Sequence, residues 1–464
     1  MSTVADATTT ALWLDRLDPA VVPRSPLDGD VDVDVAIVGG GFSGLWTAYY
    51  LHRADPELRI AVLEREFCGF GASGRNGGWA VGELAGSFEK YAKRSSNAEA
   101  LRLARLVFDS VDEIGRVLND ENIEADYAKG GTIYLARNAP QERRMRDEID
   151  HVRSQGFHDD EIRLLEADEA RFYLNATDVR AGILFAATAA IDPAKLVRGL
   201  ASTVERAGVQ IYEQTAVTAI EDGAVRTDRG TVRAEAIIRA TEAYTRDLEG
   251  ERRTLLPVYS LMIATEPLDD DVIADIGLAD RSTFADTRHM VIYGQRTADN
   301  RIAFGGRGVP YLFGSKIARA AELHEPSHQL IHDTLVEMLP QLGDARVTHR
   351  WGGVLGIPRN WVPGLSFDHD TGQGWLGGYV GEGVAPSNLA GRTMAELVLR
   401  RRTDRTAAPW VGVKAHRWEP EPLRWLGVRT SRKILAMADD HEYRTDAQAN
   451  LAFRMSRLLR GAWR

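Results

Sequence analysis

The stretch VDVAIVGGGFSG, Val33 to Gly44, decides how this chain is read. Val33–Val38 is a short β-branched run, the pattern of a buried strand. It leads into Gly39, Gly41 and Gly44, spaced as G-x-G-x-x-G, and a helical stretch from Ser43 to Ala54 follows. A second strand, Leu58–Leu63, ends at Glu64. Each part has a physical task. Gly39 permits the tight turn, Gly41 lets backbone N–H groups approach a pyrophosphate, and Gly44 lets the helix lie against the strand. The helix N-terminus presents free N–H groups and a positive dipole end to phosphate. The acid at the end of the second strand is placed to bind ribose hydroxyls and disfavours a 2′-phosphate. This is a dinucleotide-binding unit, and the motif alone fits FAD or NAD.

Working outward, a second glycine-rich run follows: Gly71-Ala72-Ser73-Gly74-Arg75-Asn76-Gly77-Gly78-Trp79. An NAD unit has no use for another backbone-lined loop here. A flavin nucleotide does, because its ring system must lie along a backbone surface. A third cluster spans RWGGVLGIP (Arg350–Pro358) and GGYVGEGVA (Gly377–Ala385), and Ser387 is read as the cap of a helix running to about Arg400.

VAIVGGGFSG, Glu64 and GASGRNGG together resemble the FAD-dependent D-amino-acid-oxidase-like oxidoreductases, most closely the γ-glutamylputrescine oxidoreductase group. The resemblance covers most of residues 30 to 400. It implies an α/β fold: a Rossmann-like FAD-binding domain interleaved with an α+β substrate domain whose mixed sheet roofs the flavin, followed by a helical C-terminal extension. The expected boundaries are 31–89, 190–256 and 350–402 for the FAD-binding domain. The substrate domain takes 90–189 and 257–349, and the extension 403–464. Cofactor contacts are expected from Gly39, Gly41, Phe42, Ser43, Gly44, Glu64 and Arg65. A second set is Gly71, Ala72, Ser73, Arg75, Asn76, Gly77, Gly78 and Trp79. A third is Val217, Ala240, Thr241, Gly353, Gly381, Gly383, Val384 and Ala385, with the Val217 backbone on the adenine. The helix after the third cluster would aim its N-terminus at the flavin pyrimidine edge, where negative charge develops on reduction. Relatives end the Ala236–Ala240 strand with a small residue and then Asn; this chain has Ala240-Thr241-Glu242.

Composition agrees with a large globular protein. The chain has 464 residues, a net charge of −10, 27% charged residues and 43 glycines. The acidic balance argues against nucleic-acid binding. The one cysteine, Cys68, excludes an internal disulfide. With no visible signal peptide, a cytoplasmic protein is expected. Cys68 lies at the wrong end of the cofactor for a thioether link, so FAD is expected to be non-covalent.

Between the motifs, residues 90–180 read as mainly helical with one strand, Gly130–Leu135, and Ser96–Glu99 is a capping box. Asp192-Pro193 starts a helix that stops at Gly208. Pro257–Thr265, His289–Gly294 and Arg301–Gly306 read as strands. Substrate-selecting candidates are Tyr259, His289, Tyr293, Arg307, Tyr311, Trp351 and Glu382. Arg307 follows a Gly-Gly pair and could hold a carboxylate through two hydrogen bonds. Glu382 stands where relatives often carry His or Cys. His324, His328 and His332 invite a metal reading, but Pro326 interrupts their spacing and no Cys or spaced acid completes a site, so no metal is expected. At the C-terminus, Leu451, Met455, Leu458 and Leu459 share a helical face beside Arg454, Arg457, Arg460 and Arg464. The expected role of this tail is packing on its own domain or a second subunit; membrane contact is the alternative.

The implied activity is FAD-dependent oxidation of a small amine or amino-acid-like substrate by hydride transfer to flavin N5. The imine is hydrolysed, and O2 reoxidises the flavin with release of H2O2. An amine that arrives neutral needs no protein base, so no acid or base residue is named from the sequence, and no lysine for O2 activation can be placed. The alternatives are a dehydrogenase with a quinone or protein electron acceptor, and a non-catalytic flavoprotein scaffold.

Overall fold

The computed structural model describes residues 11–83, 85–306 and 311–449. Val31–Val38 is the hub of the first sheet. It pairs in parallel with Ile60–Leu63 on one side and Thr231–Arg239 on the other. Gln210–Tyr212 and Gln373–Gly377 extend the two flanks in parallel, and Gly364–Asp368 closes one edge antiparallel. Parallel neighbours need crossover connections, so this sheet draws on three distant parts of the chain. Side chains alternate along the hub strand. Val35 and Ile37 enter one core with the helices Phe42–Ala54, Pro193–Arg206 and Val384–Val398. Ala36 and Val38 enter another, covered by the hairpin of Val217–Glu221 and Ala224–Thr227.

The second sheet is mixed. Among the described residues its order is Val347–Pro358, Leu255–Thr265, Ile302–Gly306, Ile292–Arg296, Thr283–Asp286, Thr132–Ala136, Ala181–Phe185 and Ile162–Glu166. Among the described strands of this sheet, only the Thr283–Asp286 and Thr132–Ala136 pair is parallel. The architecture is the expected α/β fold with interleaved chain segments and a C-terminal helix, Leu423–Thr445.

Several expectations shift in detail. Val347–Pro358 pairs along its length with Leu255–Thr265. Residues 350–358, assigned from sequence to the FAD-binding part, therefore lie in the mixed sheet. Residues 90–180 hold two strands rather than one; Ile162–Glu166 pairs antiparallel with Ala181–Phe185 and was hidden by its charged flanks. His289–Val291 is not strand, because Asp439 takes the N–H groups of His289 and Met290. The helix expected to start at Ser387 starts at Val384 with Gly383 as N-cap, and Ser387 Oγ donates to the Val384 carbonyl instead. The caps at Ser96 and Asp192 accept the N–H groups of Glu99 and of Ala194 and Lys195. Helix Asn97–Asp120, assigned to the substrate part, buries Leu103, Val107, Val111 and Ile114 in the core shared with the first sheet's helices. No described helix is long and apolar enough to cross a membrane. The basic tail from Leu451 to Arg464 lies outside the described residues.

Candidate active site

A cavity of about 500 Å³ opens between the C-terminal ends of the parallel strands and the mixed sheet. This is within the roughly 300–1,000 Å³ usual for cofactor and ligand sites. Its floor is the glycine fingerprint. Gly39 has φ +115°, and a Cβ there would stand 2.5 Å from the Ala240 carbonyl. At Gly44 a Cβ would lie 2.0 Å from the Gly39 oxygen, so only glycine lets the first turn of helix Phe42–Ala54 pack against the tight turn. Gly39, Gly41, Phe42 and Ser43 all line the cavity. Glu64 lines it as well and accepts the N–H groups of Gly40 (2.8 Å) and Glu66 (3.0 Å). Burial pushes its carboxyl above the usual range, against those two hydrogen bonds. Arg65 stacks over Tyr244 and pairs with Asp247 at the same end. Val217, Ala240 and Thr241 complete this end.

The second glycine run forms one wall, and it is shaped from behind. Trp351 donates its indole N–H to the Arg75 carbonyl (2.9 Å), and Trp13 donates to the Asn76 carbonyl (2.8 Å). Gln295 Nε2 donates to the carbonyls of Gly77 and Gly78 at 2.8 and 3.1 Å. None of the three side chains lines the cavity, so four successive carbonyls are drawn into the protein interior. Ser73 Oγ accepts the Phe42 N–H, which ties this wall to the floor. Arg75 pairs with Glu322 at 2.8 Å.

The third wall is Gly353 together with Gly381, Glu382, Gly383, Val384 and Ser387. A Cβ on Gly353 would meet nothing nearer than the Ala72 Cα at 4.0 Å, so glycine here keeps open a passage between two backbones. Glu242 also lines the cavity. It accepts the N–H groups of Gly378 (2.8 Å) and Gly356 (3.2 Å). Burial raises its carboxyl to about 7, with these backbone hydrogen bonds opposing. An acid at the ribose position, two helix N-termini and backbone-lined walls suit an elongated nucleotide with a flat ring system. The donor set therefore fits FAD.

Beyond these walls the cavity continues onto the mixed sheet. Tyr293 shares a hydrogen bond with Ser260 (2.7 Å) and meets Trp79 edge-on at 6.0 Å. Tyr134 donates its hydroxyl to Glu83, and both line this end with Glu382. Burial pushes the Glu83 carboxyl up. Asp286 is different. Burial would raise it, but Arg288 and Arg137 outweigh burial and hold its carboxyl below the usual range.

Of the substrate candidates, Tyr293 and Glu382 line the cavity. Tyr259 is buried in the core, with its hydroxyl on the Ala318 backbone. Tyr311 is bound to Ser315 and Glu421. His289 turns toward Glu442 on the C-terminal helix. Trp351 stands behind the loop it holds. Arg307 lies outside the described residues. Of the cofactor candidates, Gly44, Gly78 and Ala385 do not line the cavity; each stands next in sequence to a residue that does. His328 is buried with Nε2 at the Glu322 carbonyl, and among the described residues no three His, Cys, Asp or Glu side chains converge as metal ligands.

Sequence reading missed Glu83, Tyr134, Ser260 and Glu242 as cavity residues, and Trp13 and Gln295 as supports. Only Glu242 carried a signal, as an acid where relatives place Asn. The others stand alone in their local sequence.

Comparison with known proteins adds the family. Residues 34–397 match the family model described as "FAD dependent oxidoreductase". The chain is 30% identical over 381 residues to gamma-glutamylputrescine oxidoreductase of Escherichia coli (strain K12), covering 81% of this chain and 86% of that one. It is also 30% identical over 388 residues to a probable oxidoreductase, OrdL, of Haemophilus influenzae, covering 81% and 84%. The crystal structure of glycine oxidase from Geobacillus kaustophilus superposes with a TM-score of 0.68 at 20% identity, over 83% of this chain and 99% of that one. That last likeness is one of fold.

Proposed function

This chain belongs to the FAD dependent oxidoreductase family, and from that premise we propose that it oxidises the C–N bond of a small amine or amino-acid-like substrate. The observation that carries the reading is continuity: one cavity joins the nucleotide fingerprint to a pocket lined by Glu83, Tyr134, Glu382 and Tyr293. The chemistry that FAD supplies when bound is acceptance of a hydride from the substrate α-carbon at N5 and return of the electrons to O2 as H2O2, leaving an imine that water hydrolyses.

The residues of the chain prepare the amine. An amine enters as an ammonium ion, and Glu382 and Glu83 make that end of the cavity favourable to a cation. The Glu83 carboxylate, raised by burial, takes a proton from the ammonium nitrogen onto its oxygen, and Tyr134 steadies the charged form through its O–H. Tyr293, locked by Ser260 and Trp79, walls the substrate against the sheet. The reading keeps the cofactor non-covalent, supported by the Cys68 thiol being buried outside the cavity and by the described lining residues including neither Cys nor His. A single buried cysteine also fits a cytoplasmic setting.

One observation favours a second reading. No lysine is among the described lining residues, and related oxidases use one near N5 for O2. A dehydrogenase passing electrons to a quinone or protein acceptor fits that wall equally well.

The test is anaerobic mixing of the FAD-loaded protein with a panel of primary amines, N-methyl amino acids and free amino acids. At least one is expected to bleach the yellow flavin band. Fast recolouring on admission of air supports the oxidase; recolouring only with an added quinone supports the dehydrogenase. A flavin that no amine bleaches would sink both and leave a binding scaffold.

A further inference from the structure

A second cavity, of about 370 Å³, lies between helices Phe42–Ala54, Asn97–Asp120 and Val384–Val398, and it shares no lining residue with the first. Five arginines line it, against the acids Glu113, Asp120 and Glu396. In a chain with a net charge of −10, this is a local excess of positive charge. Two of the acids are committed. Glu113 accepts the Tyr50 hydroxyl (2.8 Å) and pairs with Arg116 (2.6 Å). Glu396 pairs with Arg405 and accepts the Thr403 hydroxyl. Asp120 is exposed at the rim.

Three guanidinium groups remain: Arg53, Arg392 and Arg401. Among the described residues, none has a carboxylate within ion-pairing distance. Arg53 Nη1 donates to the Tyr49 hydroxyl (2.8 Å), and Arg401 Nη2 donates to the Ala54 carbonyl (3.2 Å). Arg392 is the informative one. Its Nη1 is shielded from solvent yet has no hydrogen-bond partner among the described residues. An unpaired charged donor in that position is costly, and native proteins rarely keep one without a reason. A single carboxylate offers two oxygens and suits one guanidinium fork. Three forks lining one cavity from separate segments suit an anion with more acceptors and more charge.

We propose that this cavity binds a small dianionic oxyanion of the phosphate class, either free phosphate or the phosphate group of a metabolite, with Arg392 at its floor and Arg53 and Arg401 at its rim. The site is separate from the oxidation proposed above and stands whether or not that reading holds.

The test is calorimetric titration of the FAD-saturated protein with inorganic phosphate and with ribose 5-phosphate, at constant ionic strength set with chloride. Saturable binding of one anion per chain is expected. Arg392→Gln is expected to weaken it tenfold or more, with FAD content and the visible flavin spectrum unchanged. Arg53→Gln, at the exposed rim, is expected to weaken it severalfold and serves if Arg392→Gln does not fold. Tighter binding of ribose 5-phosphate assigns the site to a metabolite phosphate; equal or tighter binding of inorganic phosphate assigns it to the free ion. Heat that never saturates, saturable binding that the arginine variants retain in full, or succinate binding more tightly than phosphate would each overturn the proposal.

Discussion

The Trp351 indole donates its N–H to the Arg75 carbonyl across 2.9 Å, from the side of the glycine loop that faces away from the cavity. The ring itself packs edge-on against Trp13, which holds the next carbonyl. Trp351 therefore shapes a cofactor wall and does not touch the space beyond it. Trp351→Phe removes one buried hydrogen bond, worth about 1 kcal/mol. FAD affinity is expected to fall roughly fivefold, with little change in KM for the amine. Reconstitution of the apoprotein followed by flavin fluorescence separates the two; a raised KM with unchanged FAD affinity would contradict this placement.

Glu64 receives two backbone N–H groups on the wall where the ribose is expected. Glu64→Gln turns one acceptor into a donor facing N–H. A charge-assisted hydrogen bond contributes about 1.5–3 kcal/mol, so FAD binding is expected to weaken ten- to a hundredfold while the folded core persists. Equilibrium dialysis of FAD against the variant measures this, with far-ultraviolet circular dichroism as the control.

Gly44→Ala places a Cβ 2.0 Å from the Gly39 carbonyl oxygen. That oxygen is backbone in the tight turn, so it cannot swing aside as a side chain would. The cost is about 3 kcal/mol or more. The variant is expected to be recovered without flavin and to unfold at clearly lower urea. A yellow protein with the parent's urea midpoint would show that the turn relaxes at no cost.

Glu242 ties stability to pH. Its folded carboxyl is raised to about 7 from an ordinary value of 4.5. A raised acid contributes stability that is fully present below the unfolded value and is lost as pH rises through the folded one. The loss therefore falls between pH ~4.5 and ~7 and reaches at most about 3 kcal/mol. Glu242→Gln, neutral throughout, is expected to flatten this part of the profile. Urea unfolding of both proteins across that range gives the difference; parallel profiles would place the carboxyl at its ordinary value.

The C-terminal helix lies beyond the family-matched residues and braces the substrate end. Asp439 accepts the N–H groups of His289 and Met290, both at 2.7 Å, and Tyr443 donates to the cavity residue Asp286 at 2.9 Å. Tyr443→Phe also frees the Arg288 guanidinium from its hydroxyl partner. KM for the amine is expected to rise three- to tenfold, with FAD affinity unchanged. A variant that loses FAD and keeps its KM would break the link between this helix and the substrate wall.

Much of the site is legible in the sequence because a nucleotide site is built from contiguous backbone. A strand, three glycines, a helix and an acid follow one another within Val33–Glu64, and each position has a steric requirement that glycine or a β-branched residue announces. The caps at Ser96 and Asp192 are legible for the same reason: their partners stand two or three residues away. The substrate candidates fare differently. Tyr259, Tyr311 and His289 are polar residues near predicted strands, and nothing local says which face of the sheet they occupy. A bulge, or one residue of shift in register, reverses that choice.

The sequence alone thus determined the α/β class, the cofactor and the three glycine clusters, because those demands are met by neighbours in the chain. Tertiary structure alone decided what fills the rest of the cavity. Glu83 meets Tyr134 across 51 positions, Tyr293 meets Ser260 across 33, and the support for the Arg75 carbonyl comes from Trp351, 276 positions away. Such pairs have no periodicity or spacing rule. Their geometry exists only once distant segments have paired and packed, and burial, which raises Glu83 and Glu242, is a property of that packing and not of either residue.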